Sequence, residues 1–237
     1  MMNLKVLVMV IKTDRAVRED AAKLRGFIGN SFPEYLLLHH HIDYTDNLYT
    51  YPRVQYKIIS GTPLVIGVED GVDVLKEISD DLEELKLGRS IYRIKSLQMN
   101  QFNADFGKCR ENIRYRFLTP WLALNSGNYE RYRCIRDWKE KKEFLNSILV
   151  GNILSMSKGL NYIVMGKLYA HSLIDEDRVR YKAISHTGFM GEFKINFRIP
   201  DLLGIGKAVS HGFGTIKRVS KDDSKKDEES SYNWLWV

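Results

Sequence analysis

Four glycines fall within eleven residues near the C-terminus, in the run Gly204-Ile205-Gly206-Lys207-Ala208-Val209-Ser210-His211-Gly212-Phe213-Gly214. Each outer pair has the form Gly-apolar-Gly, and five residues separate the pairs. Glycine loses more backbone freedom on folding than any other residue. Such density therefore demands a backbone path, or a close approach, that a Cβ would forbid. Ile205 and Phe213 are suited to pin the loop to a core, which predicts that the amides between them face outward. Exposed N–H groups beside Lys207 suit a polyanion. A glycine-rich turn without a ligand accounts for the same spacing.

The common nucleotide loops are excluded. A P-loop needs a glycine five positions before Gly206, where Asp201 stands, and a dinucleotide fingerprint needs glycine or alanine where Val209 stands. Both also open a βαβ unit, whereas this loop comes late in the chain.

With 44% hydrophobic and 11% aromatic residues over 237 positions, the body has material for one large core or two small ones. Net charge is +6; the stretch 220–237 holds three lysines against five carboxylates, so the preceding residues carry +8. A basic body favours a polyanionic partner and is equally compatible with solubility alone. Cys109 and Cys134 are the only cysteines, with no CxxC, which suits a reducing compartment and excludes a cysteine-rich zinc site. The apolar run Val6 to Ile11 is too short for a signal-peptide core or a membrane helix. The expectation is a soluble cytoplasmic protein with no membrane partner.

Hydrophobic periodicity orders the elements. Leu4 to Lys12 reads as a buried strand. Thr13 or Asp14 is placed to cap a helix bearing Val17, Ala21, Leu24 and Ile28, which Pro33 ends. Val54 to Ser60 and Leu64 to Val68 flank Gly61-Thr62-Pro63 as a hairpin. Asp70 opens a second helix with Leu75, Ile78, Leu82 and Leu85 aligned, and Ser90 to Met99 is a strand. The order β-α-β-β-α-β is that of a ferredoxin-like unit. After Phe106-Gly107 the pattern resumes with a strand from Ile113 to Leu118. A helix over Asp137 to Lys158 follows, with Trp138, Leu145, Ile148, Leu149 and Ile153 inward and Gly159 at its end. Further strands read at Tyr162 to His171, Arg178 to Ser185, Phe193 to Ile199 and Phe213 to Val219. Ser220 to Ser231 holds no apolar residue and reads as a disordered tail, closed by Tyr232-Asn233-Trp234-Leu235-Trp236-Val237.

The glycine spacing resembles the G-h-G-x(5)-G-h-G loop (h apolar) of the RAMP superfamily of CRISPR-associated proteins. Within it, the chain looks like the repeat-cleaving endoribonucleases that process precursor CRISPR RNA. The resemblance extends in order through Leu24-Arg25-Gly26-Phe27-Ile28, Leu38-His39-His40-His41, Tyr51-Pro52-Arg53-Val54-Gln55-Tyr56-Lys57, Gly151-Asn152-Ile153-Leu154-Ser155 and Lys158-Gly159-Leu160. It implies an α+β fold of two tandem ferredoxin-like (RRM-like) modules, residues 1–106 and 107–219, the second carrying the glycine loop. CRISPR repeat RNA is the implied partner. Other CRISPR effector subunits and a second copy of the chain stand beside it as candidates.

Three adjacent histidines, His39, His40 and His41, titrate near neutrality and suit proton transfer. RNA supplies its own nucleophile in the 2′-hydroxyl. Metal-independent cleavage then needs a base there, an acid at the leaving 5′-oxygen and cations around the phosphorane, giving 2′,3′-cyclic phosphate and 5′-hydroxyl ends. In an extended run His39 and His41 share a face, and the resemblance points to the same pair. Solvated loop histidines are the plainer reading of that run. Tyr49 and Tyr51 are the assisting tyrosines, with Tyr44 and Tyr56 nearby; packing is their alternative role. Gly204, Gly206, Lys207, His211, Gly212 and Gly214 are read as phosphate-binding, with Arg53 and Lys57 as further RNA contacts. Arg131, Arg133 and Arg136, interleaved with Tyr129 and Tyr132, form either an RNA-facing patch or an exposed polar edge. No cofactor and no metal site are expected. Two rivals remain: a non-catalytic RAMP subunit that holds guide RNA, and a metal-dependent hydrolase using the histidines with Asp43 or Asp46.

Overall fold

The computed structural model describes residues 1–39 and 51–220. The expected helix–strand alternation is present, organised around β1 (Met2–Thr13) and one eight-stranded sheet. Along β1, Leu7, Met9 and Ile11 face a core completed by α1 (Ala21–Ser31) and, later in the chain, α3 (Asp70–Ser79). Leu4, Val6 and Val10 face the other way, into a core shared with the C-terminal half. A strand covered on both faces carries a continuous apolar run rather than an alternating one. That is the physical reason for the sequence Leu4 to Ile11.

Between α1 and the hairpin lies α2 (Leu36–His39), one short turn of helix. β2 (Val54–Ile59) and β3 (Thr62–Val68) form the hairpin, and β3 pairs antiparallel with β1. After α3, β4 (Glu84–Leu87) turns back on β5 (Ser90–Phe117). The order β2-β3-β1-β5 then continues into β7-β6, all antiparallel.

β5 is the main departure from expectation. One 28-residue strand replaces the two expected on either side of Phe106-Gly107. Its first part pairs with β1 as far as Phe106, and its second pairs with β7 from Gly107. Gly107 has a φ of +133°, and a Cβ there would stand 2.6 Å from the Tyr162 ring.

The first helix starts later than expected. Asp20 is its N-cap, its carboxylate accepting from Lys23 N, because Asp14 and Val17 are bound to Arg93 and Gly61 before the helix begins. α3 ends at Ser79, so Leu82 and Leu85 reach the core from a turn and a strand rather than from a helix. Thr119 to Asn125 leads to α4 (Ser126–Cys134), a polar helix with no hydrophobic stripe to announce it. α5 (Trp138–Gly159) begins where expected, with Asp137 as its N-cap accepting from Glu140 N, and buries Leu145, Leu149 and Ile153. Trp138, expected inward, is 66% exposed, and the buried residues of α5 begin only at Phe144.

β6 (Ala170–Tyr181) and β7 (Ile184–Arg198) make a long hairpin that turns at Lys182-Ala183, inside the strand expected from Arg178 to Ser185. The expected strand start at Tyr162 is absent: residues 162–169 precede β6 without strand pairing. A single 3-10 turn, Val209–His211, sits within the glycine run, and β8 (Ile216–Arg218) returns to β5. Among the described residues no helix is long and apolar enough to cross a membrane. The expected tail, 220–237, lies outside them save for Ser220.

The glycine geometry makes a stability prediction. Gly214 has a φ of +64°, and a Cβ on it would fall 2.0 Å from the Ile205 carbonyl oxygen. A left-handed backbone costs a non-glycine residue about 1–2 kcal/mol, and overpacking adds about 1–3. Gly214→Ala is expected to lower urea-denaturation stability by about 2–5 kcal/mol. Gly151→Ala, in α5 with nothing within 4 Å of the added carbon, should instead gain up to about 1 kcal/mol.

Candidate functional site

The glycine loop does not stand free; it is wedged between the two halves of the molecule. A Cβ on Gly212 would meet Ala21 of α1 at 2.7 Å and the Tyr56 carbonyl of β2 at 3.1 Å. One on Gly206 would meet the Trp121 indole at 2.6 Å, and one on Gly204 the Val209 side chain at 2.6 Å. The absent side chains let backbone lie on backbone, and Ile205 is fully buried as its pin.

For six of its amides this corrects the expectation of an outward-facing cradle. Gly204 N donates to Gln55 Oε1, Ile205 N to Gly214 O, Lys207 N to Leu122 O, His211 N to Ala208 O, Gly212 N to Val209 O and Gly214 N to Pro120 O. Those donors are occupied inside the protein. The outward feature of the loop is the Lys207 side chain, which is exposed while partial desolvation holds its pKa below the ordinary lysine value. Lys207 borders an open cleft of about 1020 Å³ between α4 and the β6–β7 hairpin, where Arg133, Arg178 and His186 also stand. Tyr129 of α4 lines the same cleft, so part of the arginine–tyrosine segment faces it. Glu130, Glu176 and Asp177 share the lining and moderate its positive charge.

Facing the loop is β2, whose residues alternate between two buried faces. Val54 and Tyr56 join the core under α1, while Gln55 and Lys57 point at the loop. Lys57 is completely buried: its Nζ lies 3.2 Å from Gln55 Oε1 and 3.3 Å from the Val209 carbonyl. The expected RNA contact at Lys57 is therefore corrected to a contact that holds the loop. Burial depresses its pKa to about 7. Arg53, also expected on RNA, directs Nε towards Asp70 Oδ1 at 3.4 Å, with its side chain only 20% exposed.

Tyr51 is the second correction. It is 8% exposed, and its hydroxyl donates to the Gly204 carbonyl at 2.8 Å. Gly159, at the end of α5, is needed here because a Cβ would stand 2.5 Å from Tyr51 N. Burial pushes the Tyr51 phenol above its ordinary pKa. A hydroxyl so placed fastens the loop rather than reaching substrate.

His39 ends α2 half-buried, its imidazole lying over Gly29 of α1, where an added Cβ would come within 3.0 Å. His211 stands half-buried in the loop, 5.3 Å from the Tyr181 ring centroid in an edge arrangement. Arg25, which was not among the expected site residues, lies between the two. Its Nη1 is 2.7 Å from His211 Nε2, and its Nη2 donates to the His39 carbonyl. With arginine as donor, Nε2 is the acceptor and the ring proton sits on Nδ1, towards Ser210 Oγ at 3.3 Å. The structure thus joins His39 and His211 through one guanidinium. His40, His41, Tyr44 and Tyr49, and the alternative metal ligands Asp43 and Asp46, lie outside the described residues.

Arg25 and Gln55 carried a signal that sequence reading passed over. Both are long polar side chains directly beside buried apolar residues, Leu24 on α1 and Val54 and Tyr56 on β2. Arg25 follows Leu24 on α1, and Gln55 interrupts an apolar strand.

Burial of Lys57 makes the stability of this junction depend on pH. The unfolded chain keeps the lysine proton up to about 10.5, whereas the folded protein releases it near 7. Between these values the unfolded state binds more protons, so this group makes stability rise as pH increases from about 7 to about 10 and level off below 7. Lys57→Met should flatten that rise, read as the pH dependence of urea midpoints.

The comparisons with known proteins cover the whole of this architecture. Residues 2–105 match the model of the Cas6b N-terminal domain and residues 107–219 that of the Cas6b C-terminal domain. A crystal structure of Cas6b is similar with a TM-score of 0.85 and 36% identity, over 92% of this chain and 100% of that one. A crystal structure of the CRISPR RNA processing endoribonuclease Cas6b gives 0.76 and 34% over the same shares. An uncharacterized protein of Methanocaldococcus jannaschii is 47% identical over 146 residues, which are 61% of this chain and 99% of that protein.

Proposed function

The chain belongs to the Cas6b family, and from that membership we propose that it is an endoribonuclease cutting CRISPR repeat RNA by metal-independent transesterification. It is a CRISPR RNA-processing protein of the RAMP fold. The observation that carries the reading is the match of both halves to Cas6b domains, with a Cas6b structure superposing over 92% of the chain. We read the halves as ferredoxin-like units, 1–106 and 107–219. The strand order β2-β3-β1-β5 with α1 and α3 on one face supports this for the first.

In this mechanism the RNA lies along the junction of the two halves. The 2′-hydroxyl at the cut attacks the adjacent phosphorus, the P–O5′ bond breaks, and the products carry 2′,3′-cyclic phosphate and 5′-hydroxyl ends. His39 and His41 exchange protons with these oxygens, one as base and the other as acid. Tyr49 assists from the same segment. Tyr51 contributes by holding Gly204, and Lys207 offers its ammonium to a phosphate from the rim of the cleft. CRISPR repeat RNA is the partner; effector subunits and a second copy of the chain are further candidates.

The experiment is single-turnover incubation with CRISPR repeat RNA. Cleavage is expected to persist in EDTA and to vanish with a 2′-deoxy residue at the cut. Loss in EDTA would favour the metal-dependent rival, and tight binding without any cleavage would favour the guide-holding subunit. His39→Ala with His41→Ala should remove cleavage while binding persists. A single general acid or base contributes about 10²- to 10⁴-fold, so a twofold loss in the double variant would count against the assignment.

Lys207→Ala tests the loop's part in binding. Its affinity for a non-cleavable repeat should fall, and the salt dependence of binding should drop by about one phosphate contact. An unchanged salt slope in the folded variant would leave the loop with a purely structural role.

A further inference from the structure

We propose that Arg25 is the positioning residue of the cleavage site, setting the start of the histidine run by tying it to the glycine loop. The inference rests on the reading above that the histidine run carries the chemistry.

α2 is four residues long. A helix that short gains too little from its own hydrogen bonds to fix its geometry, because closing the first turn is itself unfavourable. Its end must be held by tertiary contacts, and two are present on consecutive carbonyls. The Tyr56 hydroxyl donates to Leu38 O at 3.1 Å, and Arg25 Nη2 donates to His39 O. The last two carbonyls of α2 are thereby fastened to β2 and to α1.

The same guanidinium reaches His211 through Nη1 at 2.7 Å. A planar fork that spans two acceptors transmits position from one to the other. A displacement of the glycine loop that carries His211 therefore moves Arg25, and with it the His39 carbonyl.

The nature of the partners argues against a tether made only for stability. Arg25 Nε is buried with no hydrogen-bond partner among the described residues, and both groups contacted by its Nη atoms are neutral acceptors. Desolvating a guanidinium without a carboxylate costs free energy. Among the described residues no carboxylate pairs with this charge, which stands beside His39 and His211. Lysine cannot replace it, since one ammonium does not offer the same fixed two-pronged reach.

The test uses the full chain and repeat RNA. Cleavage rates are measured at saturating protein, and affinity is measured with the 2′-deoxy substrate, for Arg25→Ala, Arg25→Lys, His211→Ala and the double variant Arg25→Ala with His211→Ala. Misplacing a catalytic group by about 1 Å costs up to about a hundredfold. Arg25→Ala and Arg25→Lys are thus expected to slow cleavage at least about tenfold while affinity changes by less than about threefold. Since Arg25 acts through His211 and His39, the double variant should be no slower than Arg25→Ala alone.

Three results would overturn the inference: a folded Arg25→Lys cleaving at the wild-type rate, a rate loss matched by an equal affinity loss, or losses that multiply in the double variant. The Lys variant keeps the charge and the apolar stem, so it remains informative if Arg25→Ala fails to fold. Failure of wild-type protein to cleave any repeat RNA would instead remove the reading on which this one stands.

Discussion

The close approach of the glycine loop to β2 is the contact on which the two halves depend. Gly212 presents no side chain where Ala21 of α1 and the Tyr56 carbonyl of β2 already stand, while Gly204, Gly206 and Gly214 leave room for Val209, Trp121 and the Ile205 carbonyl. The polar groups trapped by that approach are then satisfied in a chain: Tyr51 to Gly204, Gln55 to Gly204 and Lys57, Lys57 to Val209, Thr119 to Gly212. Buried polar groups left unpaired would each cost of order 1–3 kcal/mol. The loop and β2 therefore have one compatible arrangement, and the segments leaving either side of it, α2 with His39 and the turn with His211, inherit their positions.

β5 supplies the second constraint. Because one strand runs through both halves, the sheet gives little freedom for them to hinge at Phe106-Gly107. The shared core of Leu4, Val6, Ile66 and Val68 with Phe197 and Ile205 acts in the same direction. The junction of α1, α2, β2 and the glycine loop then sits on a fixed frame, which the proton transfer proposed above would require.

Much of this was legible in the sequence where burial imposes a period. The run at β1, the hairpin of β2 and β3, and α5 all follow from apolar spacing and capping chemistry. The misses also have physical causes. Leu82 and Leu85 continue the helical stripe of Leu75 and Ile78, but Leu85 shares a strand face with Leu87, and the turn after Ser79 decides for the strand. α4 shows no apolar face because it buries Tyr132 but little else. β5 was divided in two because a glycine in a strand interior resembles a break until the contact of Gly107 with Tyr162 is known. The glycine run is conspicuous in the sequence, whereas the reason for its glycines, close packing against Trp121, Ala21, Val209 and the Ile205 carbonyl, is not. Sequence patterns cannot distinguish a backbone that must approach a ligand from one that must approach another strand.

Lys57 and Arg25 illustrate the harder limit. Hydropathy assigns both to the surface, yet each has polar atoms held at the junction, and neither forms an ion pair with a carboxylate among the described residues. Their consequences nevertheless differ. Lys57 can shed its charge by losing a proton, which makes it compatible with an apolar interior near neutral pH. Arg25 cannot, because a guanidinium stays protonated in proteins. A permanent cation held at the base of the histidine run raises the local positive potential without responding to pH. On the reading proposed above, that charge stays constant while the imidazoles exchange protons with the RNA. That division of labour between a constant electrostatic partner and titrating acid–base groups is what cleavage by the RNA's own 2′-hydroxyl demands.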